Sequence, residues 1–431
     1  MNMHQNASAL AVGTGPGRRK ARVTFINTHP IQYFAPLYAS LSRAQDMDVG
    51  AIYLSDYSIR GGVTDAAFGR VVKWDVDLVS GYTVRFARHA SSRGEPRSFW
   101  SMVGPELWSE IGRRDVDAIV VHGHSPAAML VGVAAAMRNR IPVFMRGETH
   151  LGLQRSALKA ALRRPLLSML YRSLSGVLAI GTANAQFYRA MGVPEERIFY
   201  MPYTVDNDRF MAASRIDPRE RAELRTVLGA KGDEPVLLYA AKFQDRKRPQ
   251  DLIAAARILA DRGLAMTVAM IGSGSLEPEL RRLVAELRLD CVHFPGFFNQ
   301  SQLPRMYAAS DVFVLPSENE PWGLAINEAM CAGLPIVTSR EVGCVPDLVR
   351  DGYNGATFQA GSPRGLADAL DPIVRNADLR RKMGEASRTV ISGWSYAEGE
   401  AGRRLALRAV GLPVAAPAGR SQISGWGVHA C

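Results

Sequence analysis

Two glutamates with seven residues between them, Glu320 and Glu328, lie in the stretch Asp311–Phe358 and could act on one ligand from two places. The apolar run Val312–Leu315 ends at Pro316 and reads as a buried parallel strand; helical spacing begins at Gly323. Glu320 is therefore expected on the connecting loop and Glu328 inside the helix, which gives the two carboxylates separate roles. Ligands collect beyond the carboxyl ends of parallel strands, where a helix start offers unpaired N–H groups to an anion. Two more clusters follow strands in the same way. Val236–Ala240 leads into a cationic loop with Lys242, Lys247 and Arg248, and Asp117–Val121 leads into His122 and His124. The histidines lack the companions that a metal site needs, so no metal is expected.

These groups must be positioned by a repeating strand-and-helix frame. Val23–Ile26 reads as a strand closed by a turn with His29 and Gln32, followed by a helical stretch. Pro142–Met145 ends in Arg146-Gly147-Glu148-Thr149-His150, and Gly176–Gly181 is a further strand, with Thr182 as its helix cap. Later, Met266–Ile271 runs into Gly272-Ser273-Gly274, and a strand from Val292 ends near Phe297 and Phe298. Alternation of this kind implies an α/β architecture. A chain of 431 residues exceeds what one core usually serves, and 47% hydrophobic with 22% charged residues is enough to build two.

The pattern Pro-Ser, Glu320, Trp322-Gly323, Glu328, Ala329-Met330 and then Gly333-Leu334-Pro335 resembles the retaining nucleotide-sugar glycosyltransferases of family 4. The resemblance runs continuously from Val236 to about Phe358 and, more weakly, from Arg22 to Phe210. It implies the GT-B fold: two doubly wound Rossmann-like domains facing across a cleft. Residues 1–20 would be a flexible basic arm, 21–205 the acceptor domain and 206–392 the donor domain. Residues 393–412 would be a helix crossing back to the first domain, and 413–431 a mobile tail, with the linker near Val205–Phe210.

In such an enzyme Glu328 would hold ribose hydroxyls and Glu320 sugar hydroxyls, while the N–H groups of Trp322, Gly323 and Leu324 meet sugar or phosphate. Lys242 and Lys247 would stabilise a leaving diphosphate without a metal or other cofactor. Lys242 stands where the family has arginine, and Arg248 where it has glycine. A strand-end histidine would contact the donor sugar, His124 ahead of His122. The family's Gly-Gly turn is replaced by His29-Pro30, leaving His29 or Gln32 to contribute side chains. Gly272 belongs to the Gly-x-Gly turn, and Phe298 either walls the base pocket or packs in the core.

A net charge of +11 favours an anionic partner, yet no nucleic-acid motif is present. Arg155, Lys159 and Arg163 recur every fourth residue beside leucines, making a basic helix face suited to anionic lipid. A lipid-linked or polysaccharide acceptor, and cell-surface polysaccharide or glycolipid synthesis, would fit such a face. No apolar run reaches the roughly 20 residues that cross a bilayer, and the first residues lack the charge order of a secretory signal. The four cysteines have no metal-ligand spacing, so a reducing cytoplasm is expected, with peripheral contact at the inner face of the membrane. The rival is a GT-B scaffold that binds nucleotide sugar without turning it over; the filled charged positions weigh against it.

Overall fold

The structure, a computed structural model, describes residues 19–61, 64–65, 70–71, 73–113, 115–153 and 157–417. Arg155, most of the expected basic arm and most of the expected tail lie outside them, as does the side chain of Lys159.

The first sheet contains β1 (Ala21–Asn27), β2 (Met47–Tyr53), β3 (Thr83–Phe86), β4 (Ala118–His122), β5 (Val143–Arg146), β6 (Gly176–Ala179) and β7 (Ile198–Tyr200). All its pairings are parallel, in the order β3-β2-β1-β4-β5-β6-β7. The second sheet contains β8 (Val236–Ala240), β9 (Thr267–Ile271), β10 (Val292–Gly296), β11 (Val312–Leu315), β12 (Ile336–Ser339) and β13 (Gly355–Phe358). It is also parallel, in the order β10-β9-β8-β11-β12-β13. Its apolar runs are continuous rather than alternating because helices cover both faces: β8, β9 and β11 are buried at every residue. In each sheet the strand order reverses once, between β1 and β4 in the first and between β8 and β11 in the second. These are the points where an open α/β sheet leaves a crevice.

One hydrophobic cluster runs from the first half (Phe25, Tyr38, Val120) through Tyr203 to Phe313, Trp322 and Trp394 of the second half. Polar links fix that seam. The Trp322 and Trp394 rings stack 5.5 Å apart, and the Nε1 of Trp394 and the Nδ2 of Asn327 both donate to the carbonyl of Tyr203, at 2.9 and 3.0 Å. Gly181 has no room for a Cβ, which would lie 2.4 Å from the Trp322 ring. The expected linker is no open connector: Val205 and Phe210 are buried, and Asn207–Ala213 is a helix capped by Asp206. Thr182 does not cap its helix either. Its N–H and hydroxyl donate instead to the carboxylate of Asp347 across the seam, at 2.9 and 2.5 Å.

The helix Tyr396–Ala409 begins with a capping box of Ser395 and Glu398 and lies against β6, β7 and the helix Ala35–Leu41 of the first half. Gly402 lets it approach, since a Cβ there would sit 1.5 Å from the carbonyl oxygen of Tyr200. Arg404 pins it by an ion pair of 2.7 Å to Asp46.

Candidate active site

A cleft of about 470 Å³ lies where the two reversal points face each other. On the second side, β11 delivers the loop with Glu320, and the helix Leu324–Ala332 follows at once. Gly323 makes this connection with φ of +97°, and a Cβ there would come within 2.9 Å of Val342. The first N–H groups of that helix, at Leu324 and Ala325, have no intrahelical partner, and both residues line the cleft.

The two carboxylates occupy different surroundings. Glu320, 7% exposed, is held by Lys247 Nζ in direct contact and by Arg246 at 3.3 Å. His150 of the first half anchors the same loop, its Nε2 lying 3.2 Å from the carbonyl of Glu320. Glu328, 1% exposed, has no cation in ion-pair contact among the described residues; its carboxylate accepts from the hydroxyls of Tyr307 at 2.8 Å and Tyr33 at 3.1 Å. Burial pushes the Glu328 carboxyl up to about 7, with the two tyrosine hydroxyls opposing. Burial also pulls the Lys247 ammonium below the usual lysine range, and the charge of Glu320 opposes that shift. The sequence reading gave Glu320 to the sugar and Lys247 to the diphosphate; the structure puts them in one ion pair. They are close enough for one ligand to meet both.

Lys242 and Gly272 also line the cleft. Gly272 is required by space, because a Cβ would lie 2.1 Å from the carbonyl oxygen of Ala241. Phe298 is half-buried, lining the cleft wall while packing on the hydrophobic cluster. Trp322 reaches the cleft only at its edge, since its ring is buried in the seam and its Nε1 donates to Asn327 at 3.0 Å. Arg248 points elsewhere: in a left-handed turn at φ of +49° it binds Asp251 at 2.6 Å and Glu318 at 2.8 Å.

From the first side, His29 and Gln32 reach the cleft. The Nδ1 of His29 lies 2.8 Å from Thr28 Oγ1 and its Nε2 lies 3.1 Å from Tyr57 Oη, which fixes the ring. The two later histidines lie in different surroundings. His122 ends β4 on the same side as Val120, against Phe34, with Nε2 at 2.7 Å from Tyr38 Oη. It lines a second cavity that meets the cleft at Ile31 and Glu148. Burial, reinforced by Arg146, holds its pKa well below the usual histidine value, so it is a neutral imidazole. Gly123 then turns the chain at φ of +76°, and His124 faces Tyr171 instead, Nδ1 to Oη 3.1 Å, lining neither cavity.

The sequence reading missed Tyr33, Arg246, Glu148 and Tyr307. Arg246 and Glu148 were visible as members of charged runs after strands, but not as wall residues. Glu148 keeps accessible surface at the cleft rim, yet protein surrounds it closely enough that burial pushes its carboxyl up, with Tyr203 and Arg146 opposing.

Two family models match in tandem: "Glycosyl transferase 4-like domain" over residues 31–204 and "Glycosyl transferases group 1" over residues 220–390. The chain is 26% identical over 319 residues to the sulfoquinovosyl transferase SQD2 of Arabidopsis thaliana, a match spanning 70% of this chain and 59% of that protein. Among solved structures it is similar to sucrose-phosphate synthase from Thermosynechococcus elongatus, with TM-score 0.68 at 18% identity, covering 90% of this chain and 97% of that one. It is likewise similar to the Anabaena protein HepE in complex with UDP and glucose, with TM-score 0.66 at 18% identity, covering 88% and 97%. The likeness to these structures is one of fold, and it agrees with the two doubly wound domains and their shared cleft. With both halves matched in order, the chain belongs to the family 4-type glycosyltransferases of the GT-B fold.

Proposed function

We propose that the protein transfers a glycosyl group from a nucleoside diphosphate sugar to an acceptor, with retention of configuration. The observation that carries this reading is the ion-paired cluster of buried Glu320 with Lys247 and the more exposed Arg246 at the reversal point of the second sheet, with Glu328 in the helix that follows the Glu320 loop. Ionised Glu328 accepts hydrogen bonds from the ribose, and Glu320 holds sugar hydroxyls near the anomeric carbon. When the bond from that carbon to the diphosphate breaks, its electron pair stays on the departing oxygen, an acceptor hydroxyl oxygen bonds to the same carbon, and the proton of that hydroxyl passes to the departing diphosphate. Lys242, Lys247, Arg246 and the N–H groups at Leu324 stabilise the charge. The complex of HepE with UDP and glucose supports a donor of this class. His122 or His124 as sugar contact rests on the resemblance, and the position of His122 beside the cleft favours it.

Thermal shift with UDP, GDP and ADP, followed by an assay of nucleotide release from the matching sugars, tests the reading. A ligand at 100 times its dissociation constant adds about 2.7 kcal/mol of stability. No stabilisation by any of the three nucleotides would defeat the donor assignment, and stabilisation without turnover would favour the scaffold. Turnover is expected to persist in EDTA, because cations at the diphosphate can supply the charge of a divalent metal. Among the described residues no three His, Cys, Asp or Glu side chains are grouped to hold a metal. Loss of activity in EDTA with recovery in magnesium would refute this.

The acceptor is proposed to be lipid-linked or polysaccharide, met at the inner face of the cytoplasmic membrane. No helix of the described residues is long and apolar enough to cross a membrane. The helix Ala157–Ser173 instead exposes a row of Leu162, Leu166 and Met169 beside Arg163 and Arg164, the composition of a helix that lies in a headgroup layer. Co-sedimentation with phosphatidylglycerol vesicles at low salt is expected, weakening as salt shortens the Debye length. A protein that ignores such vesicles at low salt would end the membrane part of the proposal.

A further inference from the structure

Glu320 is carried by a loop, so the direction of its carboxylate depends on what holds the backbone of that loop. From its own half the loop is strapped by the segment after β12: Gly343 and Cys344 donate their N–H groups to the carbonyls of Glu320 and Trp322, both at 3.1 Å. Gly343 permits the approach, since a Cβ there would lie 2.0 Å from the carbonyl oxygen of Pro321. A carbonyl oxygen has a second lone pair, and that of Glu320 meets Nε2 of His150, from the first half, at 3.2 Å. The direction of this hydrogen bond is fixed by the other ring nitrogen. Gly152 donates its N–H to Nδ1 at 3.1 Å, which makes Nδ1 the acceptor and leaves the proton on Nε2, to be donated to Glu320. His150 is 7% exposed, which keeps water from competing for the contact.

The ring has a firm mount. Residues 147–150 rest on the helix Thr182–Ala190: Tyr188 Oη accepts from the N–H of Gly147 at 3.0 Å, and Asn184 Nδ2 donates to the carbonyl of Thr149 at 2.7 Å. Asn184 is fixed in turn, its Oδ1 accepting from the N–H of Ile180 at 3.1 Å. A buried side chain 170 positions before Glu320 therefore grips, from a fixed base, the peptide that carries the carboxylate.

We propose that His150 is a positioning residue for glycosyl transfer. Its Nε2–H holds the Glu320 peptide so that the carboxylate stands where the transition state requires it, and the first half thereby sets a reacting group of the second. The inference rests on Glu320 serving the transferred sugar. A misplacement of about 1 Å at such a group costs on the order of 100-fold in rate. The nucleotide, held at Glu328 and Lys242 in the same reading, should bind as before.

Variants of the full chain separate the hydrogen bond from the packing. His150→Phe keeps a ring and removes the N–H, while His150→Gln returns an N–H near the position of Nε2. The substrate is the nucleotide sugar matching whichever of UDP, GDP or ADP stabilises the protein, and nucleotide release is followed with water as acceptor. His150→Phe is expected to lower kcat about 30- to 100-fold, with KM and the nucleotide-induced melting shift close to wild type. His150→Gln should recover most of the loss. With Glu320→Ala already in place, His150→Phe should cost less than about threefold more, because the histidine acts through that side chain.

If the phenylalanine variant does not fold, His150→Asn, whose shorter amide reaches Gly152 but not Glu320, replaces it in both backgrounds under the same criteria. Turnover of the single variant within about threefold of wild type overturns the inference, as does a loss of the same size with and without the Glu320 side chain. Wild-type turnover in Glu320→Ala by itself would instead count against the role given to Glu320, so the two failures are distinguishable.

Discussion

Replacing Lys247 with alanine is expected to lower turnover by about 100- to 1000-fold, the size seen when one preorganised charge partner of a transition state is removed. Lys247 sits between Glu320 and the cleft, only 12% exposed at its side chain, where its charge acts with little screening. Its loss also leaves Glu320 with Arg246 alone, at 3.3 Å. The variant should therefore lose stability, on the order of 3 kcal/mol, because a buried carboxylate has lost its direct partner. Lys247→Ala with Glu320→Gln should regain much of that stability and none of the turnover. Steady-state kinetics and thermal melts of the two variants together check this. Turnover of Lys247→Ala within threefold of wild type would remove the lysine from the chemistry.

Donor affinity is expected to fall as the pH is lowered through about 7, and the Glu328→Gln variant should not show that fall. Glu328 keeps its proton up to about 7 in the folded protein against an ordinary value of 4.5, chiefly because it is buried. Only the ionised form accepts from both ribose hydroxyls, so the proton and the nucleotide compete. Stability of the free protein runs the other way. Between about 4.5 and 7 the folded state holds a proton that the unfolded state has released. The contribution of Glu328 is thus fully present below that window and lost as the pH rises through it. The shift corresponds to about 3 kcal/mol, and Glu328→Gln should recover a comparable amount at pH 8. Nucleotide titrations at pH 6 and pH 8, with melts of the free protein at both, measure the two opposed trends. Equal wild-type affinity at the two values would mean that Glu328 does not face the ribose.

That Glu320 and Glu328 would stand at one strand-to-helix junction was legible because the signal is local. Glu320 and Glu328 are close in sequence, and the strand-loop-helix that carries them has its own pattern of apolar runs, proline and glycine. What could not be read is what arrives from far away. Tyr33 meets Glu328 across 295 positions of sequence, and His150 meets the Glu320 loop across 170. Nothing near Tyr33 marks it as a partner of a buried acid. The separate surroundings of His122 and His124 turn on one backbone angle at Gly123, which composition does not reveal. The roles within the cationic loop turned on backbone too: a left-handed turn sends Arg248 to Asp251 while its neighbours Arg246 and Lys247 reach Glu320.

The helix Tyr396–Ala409 gives the molecule a history as well as a shape. It covers β6 and β7 of the first half, and it is held there by Asp46, which lies 358 positions earlier in the chain than its partner Arg404. A ribosome that has already made both sheets has still not made this cover. The amino-terminal half is thus the first to be translated and the last to be finished. Its flank against Tyr200 and Met201 is closed by residues that leave the exit tunnel only after the second half has emerged.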